Sequence, residues 1–179
     1  MVSFLVIGHK GWIGQQVMDI LEKEGHTTYT TGVRADNESG ISAVLDNVKP
    51  THVMSLIGRT HGPEGSGFTT IDYLEQEDKL VENVRDNLFA PLLLSRLCEE
   101  RGIHFTYMGT GCIFKYDEAH PYEKEVAGFK EEDVPNFFGS SYSVVKGFTD
   151  RLLKERCLNI RIRMPITACP SGRNFINKI

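Results

Sequence analysis

Residues 2–7 form an apolar run that stops at a glycine, and the chain then reads Gly8-His9-Lys10-Gly11-Trp12-Ile13-Gly14. An apolar run bounded by glycine marks a strand buried on both faces. Ile13, Val17, Ile20 and Leu21 follow at helical spacing, and Gly25 ends that stripe. A strand, a glycine turn and an amphipathic helix in direct succession predict a βαβ unit, and hence a parallel sheet.

The rest of the chain repeats this alternation. Strands are expected at 26–31, 51–57, 103–108 and 159–164. Ser39 is placed to cap a helix whose apolar face is Ile41, Val44, Leu45 and Val48, closed by Pro50. A long helical stretch is expected over 73–101, broken near Pro91, and another over 141–156. Residues 58–70 and 109–139 read as loops. The predicted class is α/β, a doubly wound parallel sheet that binds ligands at the carboxyl ends of its strands. The chain carries 24 acids against 20 bases, a net charge of −4 with no basic block, which argues against nucleic acid as a partner. No apolar run is long enough to span a bilayer. Cys98, Cys112, Cys157 and Cys169 lack metal or disulfide spacing, so no metal site is expected and a reducing, cytoplasmic setting is.

Glycines in the first turn let the backbone approach a pyrophosphate, which the N–H groups opening the next helix then hold. Gly8, Lys10 and Gly11 are candidate cofactor contacts, and Gly14 also serves helix–sheet packing. The G-x-x-G-x-x-G spacing differs from the commoner G-x-G-x-x-G, and a purely structural turn is the alternative. An acid at the end of the second strand would favour NAD. Arg34 stands near that point, so NADPH is the expected cofactor, with Lys10 assisting. Two solvated surface cations are the plainer reading of the pair.

Tyr142 and Lys146 lie four apart at the start of the last helix and share one face. A free phenol titrates near 10, and a neighbouring ammonium favours its phenolate. Thr110 follows the fourth strand, where its hydroxyl can meet a substrate carbonyl. Y-x-x-x-K alone is common; the glycine turn upstream gives it weight.

With these motifs in place the chain resembles the extended branch of the short-chain dehydrogenase/reductase superfamily. Asn87 in the fourth helix falls where that family has a supporting asparagine. Thr110-Gly111-Cys112-Ile113-Phe114, Gly128-Phe129-Lys130-Glu131-Glu132-Asp133 and Arg163-Met164-Pro165-Ile166 with Arg173-Asn174-Phe175-Ile176 are more specific. They resemble the nucleotide-rhamnose synthases, epimerase/reductases related to bacterial dTDP-4-dehydrorhamnose reductase. The resemblance implies a Rossmann-like fold in which Tyr142 is the acid or base, Lys146 lowers its pKa and binds ribose, and Thr110 positions the carbonyl. Trp12, Ile13, Ile57, Gly58 and Pro165 complete the cofactor-binding set it implies. It further implies a nucleotide-sugar substrate, UDP-4-keto-6-deoxy-D-glucose, epimerised at carbons 3 and 5 and then reduced with NADPH to UDP-L-rhamnose. It places an NADP-binding unit at 1–165 and the start of a substrate-binding portion at 166–179. Roughly 100 residues of the family's C-terminal portion are expected to be missing.

Epimerisation beside a ketone needs a base. Cys112, two residues after Thr110, faces the same way if the segment is extended; a small buried hydrophobe is the alternative. Lys178 is the candidate partner acid, against a solvated terminal lysine. A reductase without epimerase activity, and a non-catalytic nucleotide-binding regulatory subunit, are the competing functions. A homodimer is expected through the fourth and fifth helices, with Leu92, Leu93, Leu94, Leu97 and Phe148 as surplus apolar surface.

Overall fold

The computed structural model describes residues 2–63, 65–122, 128–168 and 170–178, with 177 and 178 in backbone only. Its strands are β1 (Ser3–Ile7), β2 (Thr27–Thr30), β3 (His52–Ser55), β4 (His104–Thr110) and β5 (Leu158–Ile162). They form one sheet in the order β2-β1-β3-β4-β5, and every pairing is parallel. The doubly wound α/β reading therefore holds. Ile7 pairs with Ser55 and Ser55 with Tyr107, so β1, β3 and β4 leave the sheet along one common edge.

Helices α1 (Trp12–Lys23), α2 (Glu38–Val48), α3 (Leu80–Val84), α4 (Ala90–Glu99) and α5 (Ser141–Leu153) connect the strands. The core joins Leu5, Ile7, Val53, Phe105 and Tyr107 of the sheet to Ile41 and Leu45 of α2, Leu93, Leu94 and Leu97 of α4, and Leu153 of α5. This corrects the source of the expected dimer surface. Leu93, Leu94 and Leu97 are core residues and Leu92 packs against them, whereas Phe148 is exposed. An apolar run on a helix is spent on whichever face meets the sheet.

Most element ends shift by one to three residues from the sequence reading, and three differences have a visible cause. Asn37, not Ser39, caps α2; its Oδ1 accepts the Gly40 N–H at 3.0 Å, and the Ser39 hydroxyl donates to the same atom. The stretch expected as one helix over 73–101 begins as a 3₁₀ turn, Ile71–Glu75, and breaks at Asp78, whose φ is +64°. From Leu80 the helix runs on to Glu99, with a π-helical turn over Arg85–Phe89. Pro91 lacks the N–H that would bond the Asn87 carbonyl four residues back. The Thr149 hydroxyl of α5 lies 2.7 Å from that carbonyl and 2.8 Å from the Val145 carbonyl of its own helix, so its one proton is shared between them. The last strand ends at Ile162, not 164, because Met164 turns to φ +49°.

Candidate active site and cofactor crevice

The turn after β1 is shaped by steric need. Gly8 has φ +93°, a conformation that favours glycine. A Cβ on Gly14 would lie 2.1 Å from the Gly8 carbonyl oxygen, so only glycine lets α1 pack this closely on the turn. Among the described residues no side chain caps α1, and no acid occupies its first turn, leaving N–H groups and the positive end of the helix dipole for an anion. A crevice of about 650 Å³ opens here, lined by Gly8, Lys10, Gly11, Arg34, Ile57 and Gly58 among others. His9 also lines it, and its buried Nδ1 has no hydrogen-bond partner among the described residues. A glycine cradle, an uncapped helix start and an orphaned polar atom fit the diphosphate of a dinucleotide.

Beyond the end of β2, Arg34 lies in a charge network. Its Nε donates to Asp36 at 2.9 Å and its Nη2 reaches Asp86 at 3.2 Å. Arg85 binds Asp86 at 2.8 Å, and Arg59 binds Asp86 at 3.3 Å and Glu82 at 3.0 Å. Asn87 closes the same wall: its Oδ1 accepts the Arg59 N–H and its Nδ2 donates to the Arg59 carbonyl, both at 3.0 Å.

The second group gathers where β4 ends and α5 begins. Thr110 is the last residue of β4. Its Oγ1 accepts the Cys112 N–H at 3.1 Å, so the segment is a turn rather than extended strand, and the same hydroxyl bonds the Tyr142 phenol. Cys112 packs against the cluster of Tyr73, Leu74 and Tyr142. Ser143 fixes this loop to α5 by donating to the Cys112 carbonyl at 2.9 Å. Glu75 holds the start of α5, accepting the Ser141 N–H at 2.9 Å and the Tyr142 N–H at 3.3 Å. A carboxylate at a helix N-terminus is favoured by the dipole.

Tyr142 is buried, and burial pushes its phenol up to about 12; Thr110 pulls it down and Cys112 pushes it further up. Lys146 is also buried, and burial brings its amine down to about 7, with Asp150 and Cys112 opposing. The Lys146 amine does not sit on the phenol. It donates to the Tyr107 hydroxyl and, at 3.3 Å, to the Met108 carbonyl.

Not every expected residue meets at this edge. Trp12 and Ile13 begin α1. Pro165 lies beyond β5, its carbonyl accepting the Phe175 N–H at 3.3 Å. The Lys178 side chain falls outside the described residues. Sequence reasoning missed Tyr107, Glu75, Arg59 and Asp86, whose partners are distant in the chain and leave no local signal.

Comparison with known proteins places this geometry. A family model described as the RmlD substrate binding domain matches residues 2–136. An uncharacterized protein of Acanthamoeba polyphaga mimivirus, L780, is 53% identical over 99% of this chain and 61% of its own length. The crystal structure of the L780 UDP-rhamnose synthase superposes with a TM-score of 0.90, over 98% of this chain and 61% of that one. A bifunctional dTDP-4-dehydrorhamnose 3,5-epimerase/reductase of Arabidopsis thaliana is 41% identical over 99% of this chain and 57% of its own length. The dTDP-4-dehydrorhamnose reductase of Bacillus anthracis, solved with NADP, shares the fold at 18% identity, with a TM-score of 0.69 over 88% of this chain and 51% of that one. The chain thus spans about three fifths of the first two curated relatives. On the family match over residues 2–136, the chain belongs to the RmlD substrate-binding-domain family.

Proposed function

We propose that this chain forms the cofactor-binding and catalytic part of an NADPH-dependent sugar-nucleotide 3,5-epimerase/4-keto-reductase. Its substrate is UDP-4-keto-6-deoxy-D-glucose and its product UDP-L-rhamnose. The observation that carries the reading is the packing of Tyr142 with Cys112, beside Thr110, on the sheet edge that also opens the glycine-turn crevice. The names of the relatives, a UDP-rhamnose synthase and an epimerase/reductase, support it.

Each residue has a step. Thr110 turns its hydroxyl from the Tyr142 phenol to the C4 carbonyl oxygen and donates to it, which acidifies the protons on carbons 3 and 5. Cys112, as thiolate, removes those protons; return of a proton to the opposite face inverts each centre, a role held for Lys178. Tyr142 then protonates O4. A phenol held protonated by burial suits this direction, because reduction needs an acid. NADPH, when bound, supplies the hydride to C4. Gly8, Gly11 and the start of α1 hold its diphosphate, and Arg34 with Lys10 its 2′-phosphate. Lys146 serves the ribose and the phenol after a rotamer change that releases Tyr107 and Met108. A homodimer is part of this reading, formed through the exposed Phe89, Phe148 and Leu152 rather than the buried leucines of α4.

The test is incubation with NADPH and the 4-keto sugar. Oxidation of NADPH with formation of the L-rhamnosyl product is expected. Tyr142→Phe should lower reduction by on the order of 10²–10⁴ while NADPH still binds. Cys112→Ser should slow solvent deuterium exchange at carbons 3 and 5 yet spare reduction of substrate already epimerised. Failure of the chain to bind NADPH, or full turnover in Tyr142→Phe of a chain that also carries the substrate-binding portion, overturns the assignment.

A further inference from the structure

Three arginines converge on one carboxylate in the wall of the crevice. Asp86, on the π-helical turn, is bound by Arg85 at 2.8 Å, Arg34 at 3.2 Å and Arg59 at 3.3 Å, and its side chain is only 15% exposed. It lines the crevice together with Arg34, Asp36 and Arg59. Asp36 belongs to the same loop as Arg34 and grips its guanidinium through Nε at 2.9 Å and Nη2 at 3.3 Å, orienting it. Asp86 comes from another element and takes a second hydrogen bond from the same Nη2 at 3.2 Å, a group that a phosphate dianion would use.

The geometry points to Asp86 as the residue that limits this crevice's selectivity for a 2′-phosphorylated nucleotide, by competing with the phosphate for Arg34. The inference rests on the nucleotide-binding reading above. In the structure Arg34, Arg59 and Arg85 are matched by Asp36, Asp86 and Glu82, so this wall carries little net positive charge. A 2′-phosphate at Arg34 either displaces Asp86 from the guanidinium or sits close to a like charge. A nucleotide lacking that phosphate meets neither obstacle. Burial raises the Asp86 carboxyl pKa, and Arg85, Arg59 and Arg34 more than offset it, so the group stays ionised at neutral pH. Replacing the charge while keeping the shape should free a guanidinium donor without emptying the wall.

The experiment is calorimetric titration of the 179-residue chain with adenosine 2′,5′-bisphosphate and with 5′-AMP, which differ only in the 2′-phosphate. In Asp86→Asn the preference for the bisphosphate is expected to rise about five- to tenfold, the effect of removing one half-buried like charge. The ratio of the two affinities within each protein is the readout, so an effect on the crevice common to both nucleotides cancels. Asp86→Ser should raise the preference in the same sense, which guards against a fault peculiar to the amide, and thermal melts check that both variants fold. Arg34→Ala should abolish the preference. An unchanged or reduced preference in both Asp86 variants, with wild-type binding intact, overturns this inference and leaves the crevice assignment standing. Failure of the wild-type chain to bind either nucleotide overturns the crevice assignment and this inference with it.

Discussion

Replacing Lys146 with methionine should remove a rise of stability with pH that the wild type shows above neutrality. Burial lowers the Lys146 pKa from 10.5 to about 7. A tenfold change in proton affinity is worth about 1.4 kcal/mol, so charging this amine in the folded chain costs about 5 kcal/mol more than in the unfolded chain. Between pH 7 and 10.5 the unfolded chain holds a proton that the folded chain does not. Stability from this group therefore rises with pH across that window and is flat below it. From about pH 7 to 9 the wild type should gain about 2 kcal/mol relative to Lys146→Met. Urea unfolding followed by circular dichroism at about pH 7, 8 and 9 would show this as a midpoint separation that changes by about 1 M. The absolute difference at one pH is a poorer guide. The variant leaves the buried Tyr107 hydroxyl without its lysine, which costs about 1–3 kcal/mol of its own. Parallel pH profiles for the two proteins would refute the reasoning, since they would mean that Lys146 folds with its proton retained.

Two further outcomes follow from steric and electrostatic facts. Gly14→Ala should destabilise the chain by about 1–3 kcal/mol and weaken nucleotide binding, because the added Cβ meets backbone atoms of Gly8 and His9. Gly32→Ala, with open space around it, should be near neutral in the same thermal melt. The His52 pKa is lowered by burial, then by His104 and His26, so the unfolded chain takes up that proton first as pH falls. Melting temperature should therefore drop on acidification below about 6.5, a histidine's ordinary pKa, and His52→Gln should lessen the drop between about pH 7 and 5. Equal drops in both proteins would count against it.

How much of this could be read in the chain depends on the distance over which each residue finds its partner. The apolar run to Gly8 and the stripe after it are local signals, and they yield β1, the turn and α1 as observed. Tyr142 and Lys146 are four apart, and the helix beneath them was legible for the same reason. What lies on the far side of that helix was not. Lys146 turns to Tyr107, 39 residues away, because β4 places a hydroxyl within reach. Arg34 is held by Asp86, 52 residues away, where periodicity shows only a charged helix position. Residues Leu93, Leu94 and Leu97 looked surplus because a sequence does not say which helix covers the sheet; the structure spends them on the core. The helix expected from 73 loses its first turns because Glu75 is drawn to the start of α5, 66 residues on.

The π-helical turn connects the two halves of the site. Its residue Asn87 has two jobs on opposite sides. The side chain clasps the Arg59 backbone, fixing the crevice wall just after Gly58. The carbonyl, freed because Pro91 has no N–H, shares the Thr149 hydroxyl at 2.7 Å with the Val145 carbonyl. Asn83, one turn earlier, passes its Nδ2 to Ser141 at the start of α5 and accepts from Asn87 at 2.9 Å. The helix that carries Tyr142 and Lys146 is thus tied at two heights to the element that shapes the crevice. The wider π turn takes up one extra residue and leaves Asp86 facing the crevice while Asn87 stays buried. The proline therefore does more than interrupt a helix: the carbonyl it frees becomes the contact through which the crevice wall and the catalytic helix hold a common geometry.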